Sequence, residues 1–156
     1  MHERLNPYIA APDAVKAMQE TSLKLAASSI EHSLQELVKI RASQINGCAN
    51  CLHMHTADAR KHGETEERIY LLSAWRESLL YTPRERAALG WTEALTLIAQ
   101  TQAPDANYEA LKAEFTPKEQ VELTLLIGTI NAWNRLSVGF RTVHPNDRKQ
   151  AARQAA

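Results

Sequence analysis

Charge of one sign is missing from this sequence: 18 lysines and arginines balance 18 aspartates and glutamates, so the formal net charge is zero. Nucleic acids and anionic membranes select basic surfaces, so neither is an expected partner. Glycine and proline are scarce, five and six in 156 residues, which excludes a loop-rich or disordered chain. No apolar run reaches the roughly 20 residues that a membrane helix needs. The densest, Val121 to Ile130, is interrupted by Glu122. The opening Met-His-Glu-Arg-Leu-Asn-Pro lacks the charged-then-apolar pattern of a leader. The expectation is a cytoplasmic chain. Alternating β-branched runs are absent, and the single Asn-Gly hairpin signal, Asn46-Gly47, lies between two helical patterns. Cysteine is nearly absent too: Cys48 and Cys51 are the only two. In a reducing compartment, such a pair points to catalysis or metal binding, not to a disulfide framework.

What remains is helical almost throughout. The fold class expected is all-α: one domain over residues 1–156, an antiparallel bundle of about seven helices, with residues 1–6 and 149–156 frayed. A first helix opens at Pro12-Asp13 and runs to about Ser29. A second is announced by Ser33-x-x-Glu36, a capping-box pattern, and ends at Asn46-Gly47. A third carries both cysteines and ends in the basic turn before Gly63. Thr65 caps a fourth, from Glu66 to about Arg76. Thr82-Pro83-Arg84-Glu85 starts a fifth, which runs to about Ala99, and a short helix follows from Asp105 to Glu114. Thr116-Pro117-Lys118-Glu119 starts the last, which reaches about Arg135.

The stretch with chemistry is Gly47-Cys48-Ala49-Asn50-Cys51-Leu52-His53-Met54-His55. At about 100° per residue, Cys51 falls at about 300° and His55 at about 700° from Cys48, which puts all three on one helical stripe. A free thiol ionises near pH 8.5, so only ~3% is thiolate at pH 7. Two local devices can raise that fraction. Cys48 lies by a helix N-terminus, where the dipole favours an anion, and His55 lies one turn beyond Cys51 and can take its proton. A thiolate that attacks a peroxide becomes a sulfenic acid, and a second thiol three residues away can condense with it to a disulfide. The rival uses of the pair are a zinc site built from Cys48, Cys51, His53 and His55, and inert cysteines in a helical scaffold. Against zinc, His53 falls off the stripe, and no second ligand pair stands out elsewhere in the chain. Haem attachment would need histidine where Leu52 stands.

The run from Glu36 through Cys48 and Cys51 to His55 resembles the core of the carboxymuconolactone decarboxylase superfamily, on its alkylhydroperoxidase D-like branch. That branch places a glutamate twelve residues before the first cysteine of a C-x-x-C pair and a histidine four after the second. The resemblance continues through Tyr70–Glu77, Glu85–Leu89 and Asn131–Arg135, so it spans about residues 30 to 141. It implies trimers or hexamers and a peroxidase that uses reduced thiols. It also implies that Cys51 attacks, although the dipole alone favours Cys48, and that Cys48 resolves. Glu36 becomes the outer member of a proton relay with His55, against its plainer reading as a capping-box residue. The partners implied are a peroxide and an external dithiol or reductase protein; no cofactor and no metal are expected. One departure stands out: where the best-known peroxidases of the branch have a histidine before the second cysteine, this chain has Asn50. The decarboxylase branch normally lacks the cysteine pair, so ring-lactone decarboxylation is not expected. The alternative from another class is a dithiol–disulfide sensor or partner protein with little turnover.

Among the other residues, Trp75, Trp91 and Trp133 are expected in the core or an interface. His53 and His62 are expected at the surface or a helix end. Asn131 and Asn134 sit on an apolar helix and are expected to tie helices or subunits together. Arg135 and Arg141 are candidates for pairing across an interface, and Tyr81 and Phe140 for lining a substrate entry.

Overall fold

The computed structural model describes residues 2–144 and 146–147. The tail beyond Lys149, expected to fray, lies outside the described residues. Those described form α-helices and one 3-10 turn, with no strand, in line with the all-α expectation. The order is α1 (Pro7–Ala10), α2 (Pro12–Ala26), α3 (His32–Asn46), α4 (Ala49–Lys61) and α5 (Glu66–Leu71), which tightens into a 3-10 turn at Leu72–Ala74. Then come α6 (Pro83–Thr96), α7 (Ile98–Thr101), α8 (Asp105–Glu114) and α9 (Pro117–Gly139). The count exceeds seven for two reasons. Asn6 caps a single turn ahead of α2, with its side chain accepting from Tyr8 N–H, and the fifth expected helix breaks at Leu97 into α6 and α7.

The helix starts read from sequence are realised as hydrogen bonds. Thr82 and Thr116 each accept from the backbone N–H three residues on, and Glu85 and Glu119 reach back to the cap N–H. Each box satisfies two donors that the first turn of a helix leaves free. The capping box read at Ser33-x-x-Glu36 does not form. The helix begins two residues earlier, with Glu31 at the cap and no side-chain cap bond. Glu36 is instead turned inward and buried.

α3 is the axial element, packed against α4, α6 and α9. Leu34, Leu37, Val38 and Ile40 are buried around most of its circumference, the pattern of a helix with neighbours on several sides. One apolar cluster joins it to α6, α8 and α9 through Leu34, Val38, Trp91, Leu111, Leu123 and Ile127. A second joins it to α4, α5 and α6 through Leu37, Ile40, Ala59, Ile69, Leu72 and Leu89. A fully buried leucine contributes on the order of 1.5–3 kcal/mol relative to an exposed one, so these two clusters are what hold α3 in place.

The corner between α3 and α4 is short and tightly specified. Gly47 closes α3 in the left-handed region at φ 64°, a conformation that costs a residue with a Cβ about 1–2 kcal/mol. Cys48 follows immediately as the N-cap of α4. Buried amides fasten this corner to α9. The Asn46 amide donates to the side-chain oxygens of Asn131 and Asn134, both at 2.9 Å. Asn134 donates in turn to Ser43 Oγ at 3.0 Å, and Asn131 to Thr96 Oγ1 at 3.1 Å. The expectation that Asn131 and Asn134 tie elements together is met within one chain, between α3, α6 and α9.

Candidate active site

Cys48 and Cys51 are joined as a disulfide, with Cα atoms 5.4 Å apart. Cys48 lies one residue outside the helix, so it does not occupy the stripe that helical spacing assigns it. It replaces the usual hydroxyl or carboxylate cap: its Sγ accepts from Cys51 N–H at 3.3 Å. Both sulfur-bearing residues are buried, but they face different ways. Cys51 lines a cavity of about 670 Å³ between α1, α2, α4 and α9, and Cys48 does not. Leu23, Leu126, Ile130 and Trp133 make up the apolar part of the lining that α2 and α9 supply, beside Gln19, Ser22 and Thr129. Ser137 Oγ on α9 lies 3.8 Å from Cys51 Sγ.

His55, one turn beyond Cys51 on α4, lines the same cavity. Its Nδ1 is 2.8 Å from Glu36 Oε2. The other Glu36 oxygen accepts from Lys39 Nζ at 2.7 Å. Burial by itself would push the Glu36 carboxyl up. The His55 hydrogen bond and the Lys39 ammonium outweigh it and hold the group below its ordinary value. A carboxylate only accepts, so Nδ1 carries the imidazole proton and Nε2 is left as the basic nitrogen. Asp58 completes a cluster with Glu36 and His55, one donor atom from each lying within 4.8 Å of the others. Both Glu36 oxygens already have partners, so the cluster is a paired network and no ligand set is assigned to it.

Residues 12–94 match the carboxymuconolactone decarboxylase family. The chain belongs to that family. The uncharacterized protein YdfG of Bacillus subtilis (strain 168) is 46% identical over 140 residues, covering 90% of this chain and 95% of its own. A crystal structure of a protein of unknown function from Agrobacterium tumefaciens, a candidate antioxidant defence protein AhpD, superposes with a TM-score of 0.90 at 48% identity. That match covers 92% of this chain and 99% of the other. With this relative, the chain falls on the alkylhydroperoxidase D-like branch of the carboxymuconolactone decarboxylase family. The debrominase Bmp8 shares the fold at a TM-score of 0.77 and 18% identity, covering 85% of this chain and 72% of its own.

Within this family member, the four residues picked out by spacing fall around one point. Cys51 and His55 line one cavity, Cys48 is bonded behind Cys51, and Glu36 is bonded behind His55. The remaining expectations fared unevenly. Asn50 lines the cavity. Trp133 is a wall of the cavity rather than core, with Nε1 donating to Ser22 Oγ at 2.9 Å. Tyr81 does not line it; the phenol is buried in the α3–α6 cluster and donates to Arg68 O at 2.5 Å. Phe140 is not among the lining residues either. His53, counted as a zinc ligand by the rival reading, faces out and packs edge-on against His144, centroids 4.3 Å apart.

Sequence reasoning missed Lys39, Asp58 and Ser137. The first two carried a usable signal, since each lies three residues along a helix from a chosen residue, Glu36 or His55, and so on the same face. Ser137 carried none, since it is 86 positions from Cys51.

Proposed function

We propose that the chain is a thiol-dependent peroxidase that reduces organic or hydrogen peroxides through a Cys48/Cys51 dithiol–disulfide cycle. The observation that carries this reading is the split between the sulfurs: Cys51 opens onto the cavity beside an imidazole, and Cys48 lies within bonding reach but outside the cavity. In the reduced protein, His55 Nε2 takes the proton of the Cys51 thiol, with Glu36 fixing the ring from behind. The thiolate attacks one peroxide oxygen and the O–O bond breaks. This gives a Cys51 sulfenic acid and an alkoxide or hydroxide, which takes the proton back from His55. The Cys48 sulfur then attacks the sulfenic sulfur and releases water, forming the disulfide. An external dithiol or reductase protein restores both thiols by exchange. The sum is two thiols and one peroxide giving a disulfide, an alcohol or water, and water.

Asn50 holds the place where the branch's best-known peroxidases carry a histidine, so proton transfer in this chain rests on His55 alone. The apolar part of the lining, Leu23, Leu126, Ile130 and Trp133, suits the carbon skeleton of an organic peroxide. The same reading includes the trimer or hexamer that the resemblance implies, supported by an outward face of α9 where Val121 and Leu125 are 60% and 53% exposed.

Steady-state peroxide consumption with saturating dithiothreitol tests the reading. Wild-type chain should turn over, and Cys51→Ser should lose turnover at least ~100-fold while keeping its helical spectrum. Unaltered turnover in Cys51→Ser removes the assignment. Negligible wild-type turnover with rapid disulfide exchange would favour a dithiol partner protein instead.

A further inference from the structure

Lys39 stands outside the four-residue signature, yet it occupies a singular place. Among the described residues it is the one cation lining the cavity that holds Cys51. Its side chain is 16% exposed and its Nζ lies 2.7 Å from the buried Glu36 carboxylate. We propose that Lys39 is a positioning residue for the Cys51 centre: its ammonium fixes one oxygen of Glu36 so that the other meets His55, and its charge lets the Cys51 thiol ionise nearer neutral pH. This rests on the reading of Cys51 as the reactive sulfur.

The geometry supports it in two ways. A carboxylate has two oxygens and can rotate about its last bond. Lys39 on Oε1 stops that rotation and leaves Oε2 turned to His55 Nδ1, which holds the ring so that Nε2 stays basic. The second way is electrostatic. The charged or titratable groups around the centre are Glu36 and His32 on α3, His55 and Asp58 on α4, and Tyr8 on α1. α2 and α9 line the cavity with uncharged side chains only. Without Lys39, a thiolate at Cys51 would share this space with two carboxylates, Glu36 and Asp58. With it, one of the two is neutralised at contact distance. Like charges disfavour an anion and an opposite charge favours it, by 1–3 pH units when the partner is within about 4–6 Å.

The sign follows directly. Removing the ammonium makes the cavity more negative, so the Cys51 thiolate forms at higher pH. The test uses the full chain with Cys48→Ser, which leaves one thiol, and reads the rate of iodoacetamide alkylation against pH. Lys39→Met should move the half-maximal pH upward by about one unit and slow alkylation at pH 7 roughly tenfold. Lys39→Arg, which keeps the charge, should restore most of the original half-point. Lys39→Gln serves as a second neutral variant, with far-UV circular dichroism as the control for folding. An unmoved half-point in the neutral variants, or loss of the helical spectrum in both, overturns the proposal in favour of a purely structural lysine. Peroxide turnover of the wild-type chain is read in parallel. A moved half-point without turnover removes the peroxidase and keeps this role for Lys39, whereas turnover with an unmoved half-point does the reverse.

Discussion

Cys48 and Cys51 are chemically identical, and their surroundings differ. Cys48 sits at the head of α4 with its sulfur on a backbone N–H, where the partial positive charge of the helix end favours an anion. That suits it to leave as a thiolate when an external thiol opens the disulfide. Cys51 is one turn in, where the cavity reaches it. Helix-dipole reasoning alone picks Cys48 as the attacking sulfur, and access picks Cys51. The proposed cycle follows access, because a peroxide must reach a sulfur before the ionisation of that sulfur matters. In the proposed cycle, Cys48→Ser keeps a good N-cap, serine being a preferred capping residue, so α4 should persist. It also leaves the Cys51 sulfenic acid without a resolving thiol. Intact-mass spectrometry after excess peroxide should therefore find the variant carrying two added oxygens as sulfinic acid, where the wild type stops at the disulfide. A variant that gains no oxygen would show that Cys51 is not the atom that meets peroxide.

The helices differ in how their ends are held. α6 and α9 start on complete capping boxes with proline in the first turn. α3 starts with no side-chain cap and depends on burial, and α4 depends on a sulfur. Thr82→Ala and Thr116→Ala should each cost about 1 kcal/mol, read as a fall in urea midpoint at constant m-value. A loss below about 0.5 kcal/mol would show that packing, not the cap, sets the position of that helix start. α6 is also anchored through Glu93. This carboxylate accepts from Arg41 Nε on α3 at 2.7 Å and from Trp75 Nε1 at 2.8 Å, and pairs with Arg76. Burial would raise its pKa, but the Arg76, Trp75 and Arg41 contacts prevail and lower it. Helix starts were readable because capping is local, a matter of residues three apart. The Ser33-x-x-Glu36 pattern shows the limit of that locality. The same four letters satisfy the box rule, but the pull of a half-buried imidazole and an ammonium on Glu36 is the stronger demand.

At the scale of the whole molecule, the distribution of apolar surface matters more than its amount. Val121 and Leu125 lie one turn apart on the outside of α9, with open space beside Gly128 one turn further along. The zero net charge offers no long-range repulsion between copies. Sedimentation equilibrium should return a trimer or hexamer for the wild type, and Val121→Glu with Leu125→Glu should shift it toward the monomer. A wild-type chain that sediments as a monomer at tens of micromolar would remove the assembly from the proposal. No helix among the described residues is long and apolar enough to cross a membrane.

The sequence alone determined the helical class, most helix starts, and the one stretch where chemistry was to be sought. Each of these depends on neighbours within one turn: caps three residues apart, a glycine at φ 64° closing α3, and the Cys51 thiol and His55 imidazole four residues apart on α4. Only the tertiary structure decided which sulfur faces open space, that Trp133 and Ser137 of α9 line the same cavity, and that Glu36 serves His55 rather than its own helix end. Those facts arise where α3, α4 and α9 converge. The residues bonded to one another there are separated by as many as 91 positions along the chain. Helical periodicity fixes directions within one helix, and it carries no information about how distant helices are brought together.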